Sequence, residues 1–315
     1  MHGCGCRNVR WLPRYGLGGI DAHVVDVSGE LRANYGARMT PKVALVTGAS
    51  RGVGAATAVA LADAGYAVAC AARSTREHPQ RTPGTIDDVV DRIRGRGGTA
   101  IGVPVDLSDR AEVAAMVERT ADELGRLDVL VNNAAVTFVG DLDVPERRHD
   151  LIMAIDLDAP LVACRQAVPH LRASGEGRIL NVSSLAALMP FPGNMSYGIA
   201  KIGLERLTVD LARQLAPLGI AANVFRIDVP VASEGFVANT PNADHDGWEP
   251  SEVAAEGILW MLRQPIGYSG RRESMAHLAH REGIMPSVVA RGEPLTPTEL
   301  YSGVLNLHEN IYEHQ

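Results

Sequence analysis

Aromatic side chains are scarce in this chain. Four Phe, 3 Trp and 7 Tyr make up only 4% of its 315 residues, so any core must be built from small aliphatic groups. Cysteine is equally thin: Cys4, Cys6, Cys70 and Cys164 stand at irregular spacing. That pattern excludes a disulfide framework and offers no zinc site, because Cys4-Gly-Cys6 lacks a second ligand pair; no metal is expected. Basic charge is not in excess, with 30 Lys and Arg against 37 Asp and Glu for a net −7. No basic stripe is present to neutralise phosphates, and nucleic acid is excluded as a partner. No apolar run approaches the ~18 residues of a membrane span, and residues 1–38 lack the roughly 7–15-residue apolar stretch of a secretory signal. A reducing compartment is therefore expected, and a cytoplasmic one.

What the chain does have is length and alternation. At 315 residues and 46% apolar, it can fill one large α/β domain but not two full ones. Apolar runs read as strands at 42–47, 67–72, 100–105, 127–132, 178–183 and 221–227. Helical periodicity lies between them at 53–64, 85–95, 109–124, 146–172, 196–216 and 251–263. Strands alternating with helices predict a Rossmann-type, doubly wound parallel sheet, covered on both faces, with its ligand at the carboxyl ends of the strands. Residues 39–270 are expected to form the dinucleotide-binding domain and 271–315 a C-terminal extension of it with an atypical tail. Residues 1–38, rich in Gly and Arg and without periodicity, read as a disordered extension from an over-long translation start.

Two local patterns carry chemistry. Val43-Ala-Leu-Val-Thr47 runs directly into Gly48-Ala-Ser50-Arg51-Gly52-Val53-Gly54 and then into an alanine-rich helix. A strand feeding a glycine-rich turn into a helix N-terminus is a dinucleotide phosphate site: the glycines admit the pyrophosphate to the backbone, and the free amides hold its charge. The second pattern is Tyr197-Gly-Ile-Ala-Lys201, with Ser184 thirteen residues earlier. A tyrosine and a lysine at i and i+4 share a helix face. A phenol titrates near ~10, so working as acid or base at neutral pH asks for a shift of about 3 units, or about 4 kcal/mol. One ammonium at about 4 Å in an effective dielectric of about 20 supplies that amount.

These residues, with Asn132-Asn133-Ala134-Ala135, resemble the short-chain dehydrogenase/reductase family over about Pro41 to Leu262. The family's Thr-Gly-x-x-x-Gly-x-Gly turn is matched by Thr47, Gly48, Gly52 and Gly54. Its Asn-Asn-Ala-Gly element is matched except at Ala135. The resemblance puts the catalytic residues at Ser184, Tyr197 and Lys201, and cofactor contacts at Gly48, Ser50, Arg51, Gly52, Val53, Gly54, Arg73, Asp106, Asn133, Tyr197 and Lys201. It also implies a homodimer or homotetramer. The insertion His78-Pro79…Gly84-Thr85-Ile86 is similar to the branch of hydroxysteroid-dehydrogenase-like proteins and citronellol/citronellal dehydrogenases, which implies an apolar alcohol or carbonyl substrate. In that family Leu185 to Phe191 would line the substrate pocket; core packing is the equal alternative.

The second strand ends at Ala72-Arg73 without an acidic residue for the adenosine ribose. Arg51 and Arg73 are placed to contact a 2′-phosphate, so NADP is favoured over NAD. Three departures from the family pattern stand out. Asp156 occupies the place of an asparagine whose helix position holds a relay water in the family, and it is counted among the catalytic residues. Ile227-Asp228 replaces Pro-Gly, with Asp228 read as an exposed loop carboxylate. After Gly270 a charged, histidine-rich stretch replaces the expected apolar last strand, and His277, His280, His308 and His314 read as surface residues. The expected function is an NADP-dependent oxidoreductase of an apolar alcohol/ketone or aldehyde. The alternative is a catalytically weak or inactive NADP-binding protein, a sensor or scaffold.

Overall fold

A computed structural model describes residues 40–240 and 242–294. The expectations for residues 1–38, Cys4, Cys6, His308 and His314 lie outside the described residues.

Seven parallel strands form one sheet in the order β3-β2-β1-β4-β5-β6-β7. They are β1 (Val43–Thr47), β2 (Ala67–Ala72), β3 (Ala100–Pro104), β4 (Val129–Asn132), β5 (Gly177–Ser184), β6 (Ile220–Ile227) and β7 (Arg272–Ser274). The helices between them are α1 (Gly52–Asp63), α2 (Ile86–Gly95), α3 (Arg110–Leu124), α4 (Glu146–Met153), α5 (Ala159–Ala173), α6 (Met195–Leu215), α7 (Glu234–Asn239), α8 (Ser251–Leu262), α9 (Met275–Glu282) and α10 (Pro286–Val289). Strands buried on both faces read as continuous apolar runs, which is why β1 and β2 are legible as such.

Alternate residues of each strand feed opposite layers. Ala44, Val46, Val68 and Cys70 pack with α1, α2 and α8, whereas Val43, Leu45, Ala67 and Ala69 pack with α3, α5 and α6. Among the described residues Phe225 is the one fully buried aromatic side chain of either cluster, with Tyr66, Trp260 and Tyr268 packed partly buried against the first.

The sheet is wound outward in both directions from the β1–β4 pair, where Leu45 faces Leu130. The connections leaving those two strands turn to opposite faces of the sheet, β1 into α1 and β4 towards α5, and it is at such a switch point that a parallel sheet takes its ligand.

The structure departs from the sequence reading in two places. The helix expected over 146–172 is interrupted by a π-helical turn at Ala154–Asp158. The last strand is present after all: β7 pairs with Val224, Phe225 and Arg226 of β6 although it contains no apolar residue. Its charges are partnered, with Glu273 accepting from Tyr268 and from Arg281 at 2.9 and 3.1 Å.

Candidate active site

The glycine turn leaves β1 at Thr47 and enters α1 at Gly52. Gly48 adopts φ 68°, a conformation costly for residues with a β-carbon. A β-carbon on Gly54 would lie 2.3 Å from the Gly48 carbonyl oxygen, so the turn closes only around glycine. The first turn of α1 has no side-chain cap and no acidic residue. Thr85, Asp109, Ser233 and Ser274 cap α2, α3, α7 and α9, whereas α5, α6 and α10 start as α1 does, without a side-chain cap or an early acidic residue. Uncapped amides at a helix N-terminus favour an anion. Val53 and Ser50 are buried beneath the turn.

The Thr47 hydroxyl accepts from the amides of Asn133 and Ala134 at 3.1 and 3.2 Å, and the Asn133 side chain donates to the Thr47 carbonyl at 2.9 Å. Asn133 thus ties the end of β4 to the glycine turn. Arg73 is exposed at the end of β2, and no hydrogen bond engages its guanidinium among the described residues. Arg51 is placed differently from the expectation. Its Nε and one terminal nitrogen donate to the carbonyls of Pro83, Thr82 and Gly84 at 2.7, 2.7 and 2.9 Å. The insertion after β2 therefore holds this side chain. Burial lowers the pKa of Arg51, Glu234 opposes that, and the like charge of Arg73 adds to it. At Asp106, burial acts upward but is outweighed by the amide and hydroxyl of Ser108 and by Arg73, leaving the carboxyl below its ordinary range. Arg73 is therefore within electrostatic reach of both Arg51 and Asp106.

Ser184 ends β5, and Tyr197 and Lys201 lie on the first two turns of α6. The Lys201 ammonium is 2% exposed and donates to the Val182 carbonyl at 3.1 Å. It also lies 5.5 Å from the centre of the Tyr197 ring. Lys201 acts on the phenol in the expected direction but does not prevail. Burial raises the pKa of Tyr197 most, Lys201 lowers it, the Asp156 carboxylate raises it, and the Ser184 hydroxyl lowers it, leaving the phenol above its ordinary value.

Asp156 lies in the π-helical turn and is 0% exposed. One carboxylate oxygen accepts from the Val136 amide at 2.8 Å. The other has no hydrogen-bond partner among the described residues and lies 3.7 Å from the Lys201 ammonium. Burial pushes this carboxyl up to about 6 against the pull of Lys201 and Val136.

The reading of Asp228 as an exposed carboxylate is overturned. It is half-buried, accepts from the Ser274 hydroxyl and from the Ala276 amide at 3.0 Å, and so belongs to the N-terminus of α9. His277 and His280 are likewise half-buried, His277 contacting the Ser274 hydroxyl at 3.0 Å. No group of three or more metal-ligating side chains occurs among the described residues, and no described helix is long and apolar enough to cross a membrane.

Sequence reasoning missed a buried polar layer behind Ser184 and Lys201. Glu205, one turn beyond Lys201 and 0% exposed, accepts from the Ser183 hydroxyl at 2.8 Å and from Arg226 at 2.8 and 2.6 Å. Asn132 donates to Asn181 at 2.8 Å, and Asn181 donates to Thr208 at 2.8 Å. Arg226 and the Asn132–Asn181 pair in otherwise apolar strands, with Glu205 on α6, were the available signal, since buried polar groups require partners.

Comparison with known proteins agrees with this geometry. The family model for short chain dehydrogenases matches residues 42–231. The chain is 38% identical over 240 residues to 3-oxoacyl-[acyl-carrier-protein] reductase of Synechocystis sp., covering 76% of this chain and 87% of that protein. It is 29% identical to hydroxysteroid dehydrogenase-like protein 2 of Mus musculus over 80% of this chain, and spans about half, 52%, of that relative's length. Among solved structures, a short chain dehydrogenase from Burkholderia cenocepacia in complex with NADP matches with a TM-score of 0.65 and 31% identity, covering 75% of this chain and 97% of the other.

Proposed function

The chain belongs to the short-chain dehydrogenase family, and on that premise we propose that it is an NADP-linked oxidoreductase interconverting an apolar alcohol with its ketone or aldehyde. The observation that carries the reading is the convergence of Ser184, Tyr197 and Lys201 at the carboxyl end of β5, on the same edge of the sheet as the glycine turn.

A dinucleotide fits the turn: Gly54 leaves no room for a side chain, and the uncapped, acid-free start of α1 presents its amides to an anion. Gly48, Ser50, Gly52, Val53, Gly54 and Asn133 would hold the diphosphate end. Lys201 and Tyr197 would hold the nicotinamide ribose, and Asp106 would lie beside the adenosine. Bound there, the nicotinamide supplies the hydride donor or acceptor.

Tyr197 gives its phenolic proton to the carbonyl oxygen in reduction and takes it from the alcohol in oxidation. Ser184 hydrogen-bonds the same oxygen and fixes it for the transfer. Lys201 stabilises the tyrosinate against the cost of its burial. Asp156 neutralises Lys201 from behind and tunes how far that stabilisation reaches.

NADP is favoured over NAD because β2 ends at Ala72 and the exposed Arg73 offers its guanidinium there without a competing partner among the described residues. An apolar substrate is favoured by Val139, Leu142 and Phe191, all exposed. Their loops are knitted together by the Gly140 amide donating to the Gly193 carbonyl at 2.9 Å. The outward Ile199, Ile202 and Val209 of α6 would form the contact between subunits of a homo-oligomer.

The test is to follow NADPH and NADH absorbance against a panel of hydrophobic ketones, aldehydes and alcohols. Turnover with NADPH preferred is the expected result. NADPH binding without turnover on the whole panel would favour the second reading, a dinucleotide-binding protein that has lost catalysis, for which Asp156 and the altered Ile227-Asp228 segment are the support.

A further inference from the structure

The segment that follows β6 leaves the sheet at Ile227 and returns to α8 at Ser251. Its two limbs are joined at a neck. Val231 and Glu249 form a parallel bridge; the Glu249 amide donates to the Pro230 carbonyl at 2.9 Å, and the Ala232 amide donates to the Glu249 carbonyl at 2.8 Å. Just beyond the neck, Ser233 and Glu234 begin α7 and lie on the glycine turn. A β-carbon on Gly52 would be 2.9 Å from the Ser233 β-carbon and 3.5 Å from a Glu234 carboxylate oxygen. The first limb therefore rests directly on the backbone that would cradle a diphosphate.

Both limbs are held from behind by the charged C-terminal layer. On the first, Asp228 binds the start of α9 through Ser274 and Ala276. On the second, the Glu249 side chain is 4% exposed and accepts from the Ser287 hydroxyl at 2.6 Å and from the Arg291 guanidinium at 3.1 Å. Arg291 also donates to the Gly247 carbonyl. A buried carboxylate this well partnered is costly to disturb, because removing its partner leaves an uncompensated charge.

We infer that Glu249 is a positioning residue for cofactor binding: held by Ser287 and Arg291, it locks the neck so that Ser233 and Glu234 stay seated on Gly52. Residues 286–291, outside the matched family region, thereby act on the dinucleotide site without touching it. The inference rests on the dinucleotide reading only for its ligand; the neck itself is tested without ligand.

The variants are Arg291→Ala, Arg291→Lys and Glu249→Gln in the full chain, compared with wild type. Chymotryptic nicking after Phe236, an exposed aromatic on α7, reports local opening of the first limb. NADPH fluorescence gives its Kd, and melting gives global stability. Arg291→Ala is expected to speed nicking and weaken NADPH binding by about fivefold each, with kcat held within about twofold once NADPH saturates. Arg291→Lys restores most of both effects, because the ammonium keeps the charge on Glu249. Glu249→Gln gives an intermediate result.

The inference is overturned if nicking and Kd stay at wild-type values in Arg291→Ala. It is equally overturned if both simply track the melting temperature across the three variants, since that is what a general loss of packing produces. Should the wild type bind no NADPH, the dinucleotide reading fails while the nicking rates still decide the neck.

Discussion

Replacing Asp156 by asparagine isolates the most unusual electrostatic feature of this site. The carboxyl is fully buried, one of its oxygens has no hydrogen-bond partner among the described residues, and burial pushes its pKa up to about 6 from 3.8 for an ordinary aspartate. A shift of about 2 units corresponds to about 3 kcal/mol of folding free energy. The sign follows from the direction. A carboxyl whose pKa is raised on folding contributes most at pH below its unfolded value, and that contribution is lost as pH rises through its folded value near 6. Wild type therefore loses stability through this group between about pH 4 and pH 7, and Asp156→Asn does not. The stability difference between variant and wild type should move in the variant's favour by about 2 kcal/mol between pH 4.5 and 7.5. The attraction of Lys201 acts only where the carboxyl is ionised and is already contained in the folded value near 6, so the pH-dependent part is read from that value alone. Urea unfolding at fixed protein concentration, measured at both pH values with equal m-values, reads it directly. The same variant removes a carboxylate that raises the Tyr197 pKa, so the pH at which alcohol oxidation reaches half its plateau should fall. A stability difference that stays flat across this range would show that Asp156 ionises as an ordinary aspartate and would refute the reasoning.

Tyr197→Phe should lower kcat by at least ~10²-fold while the Kd for NADPH stays near wild type, because only the hydroxyl is lost; stopped-flow or steady-state NADPH absorbance decides it. Arg73→Asp should shift the ratio of kcat/KM for NADPH over NADH towards NADH by roughly 10–100-fold, the loss of a charged contact worth about 1.5–3 kcal/mol; an unchanged ratio would place Arg73 away from the 2′-phosphate. Gly54→Ala should abolish NADPH binding, since its β-carbon would meet the Gly48 carbonyl oxygen at 2.3 Å, and calorimetric titration showing wild-type affinity would mean the turn tolerates that displacement.

Much of the fold was readable because it is built from short-range signals. β1 and β2 are unbroken runs of small apolar residues, the pattern required when both faces of a parallel strand are covered. Thr85 and Asp109 cap α2 and α3 where the periodicity begins. The glycines after β1 and the Tyr197–Lys201 spacing are local too. What escaped reading was decided by distant partners. Arg272-Glu273-Ser274 has no strand character by composition, yet β6 offers it an edge and Tyr268 and Arg281 satisfy Glu273. Nothing near Asp228 in sequence announces that its partners lie at Ser274 and Ala276.

The same distinction explains why the proposed catalytic residues were visible while the groups that oppose Lys201 were not. Tyr197 and Lys201 are one helical turn apart, so their coupling can be derived from helix geometry alone. The opposing terms come from elsewhere. Burial of the phenol depends on the packing of the whole site, and Asp156 reaches Lys201 only because a π-helical turn carries the carboxyl into the core. An extra residue in one helical turn shifts the phase of the side chains that follow it, and reading 146–172 as one unbroken helix leaves no place for that shift. The sign of the net shift at Tyr197 is therefore a tertiary property. A lysine strong enough on paper to bring the phenol towards neutrality is outweighed by burial and opposed by a carboxylate that sequence reasoning could name but could not place. Whatever lowers the phenol into its working range must add positive charge or a hydrogen-bond donor at the Tyr197 oxygen, and a bound nicotinamide and substrate are the groups that would bring it there.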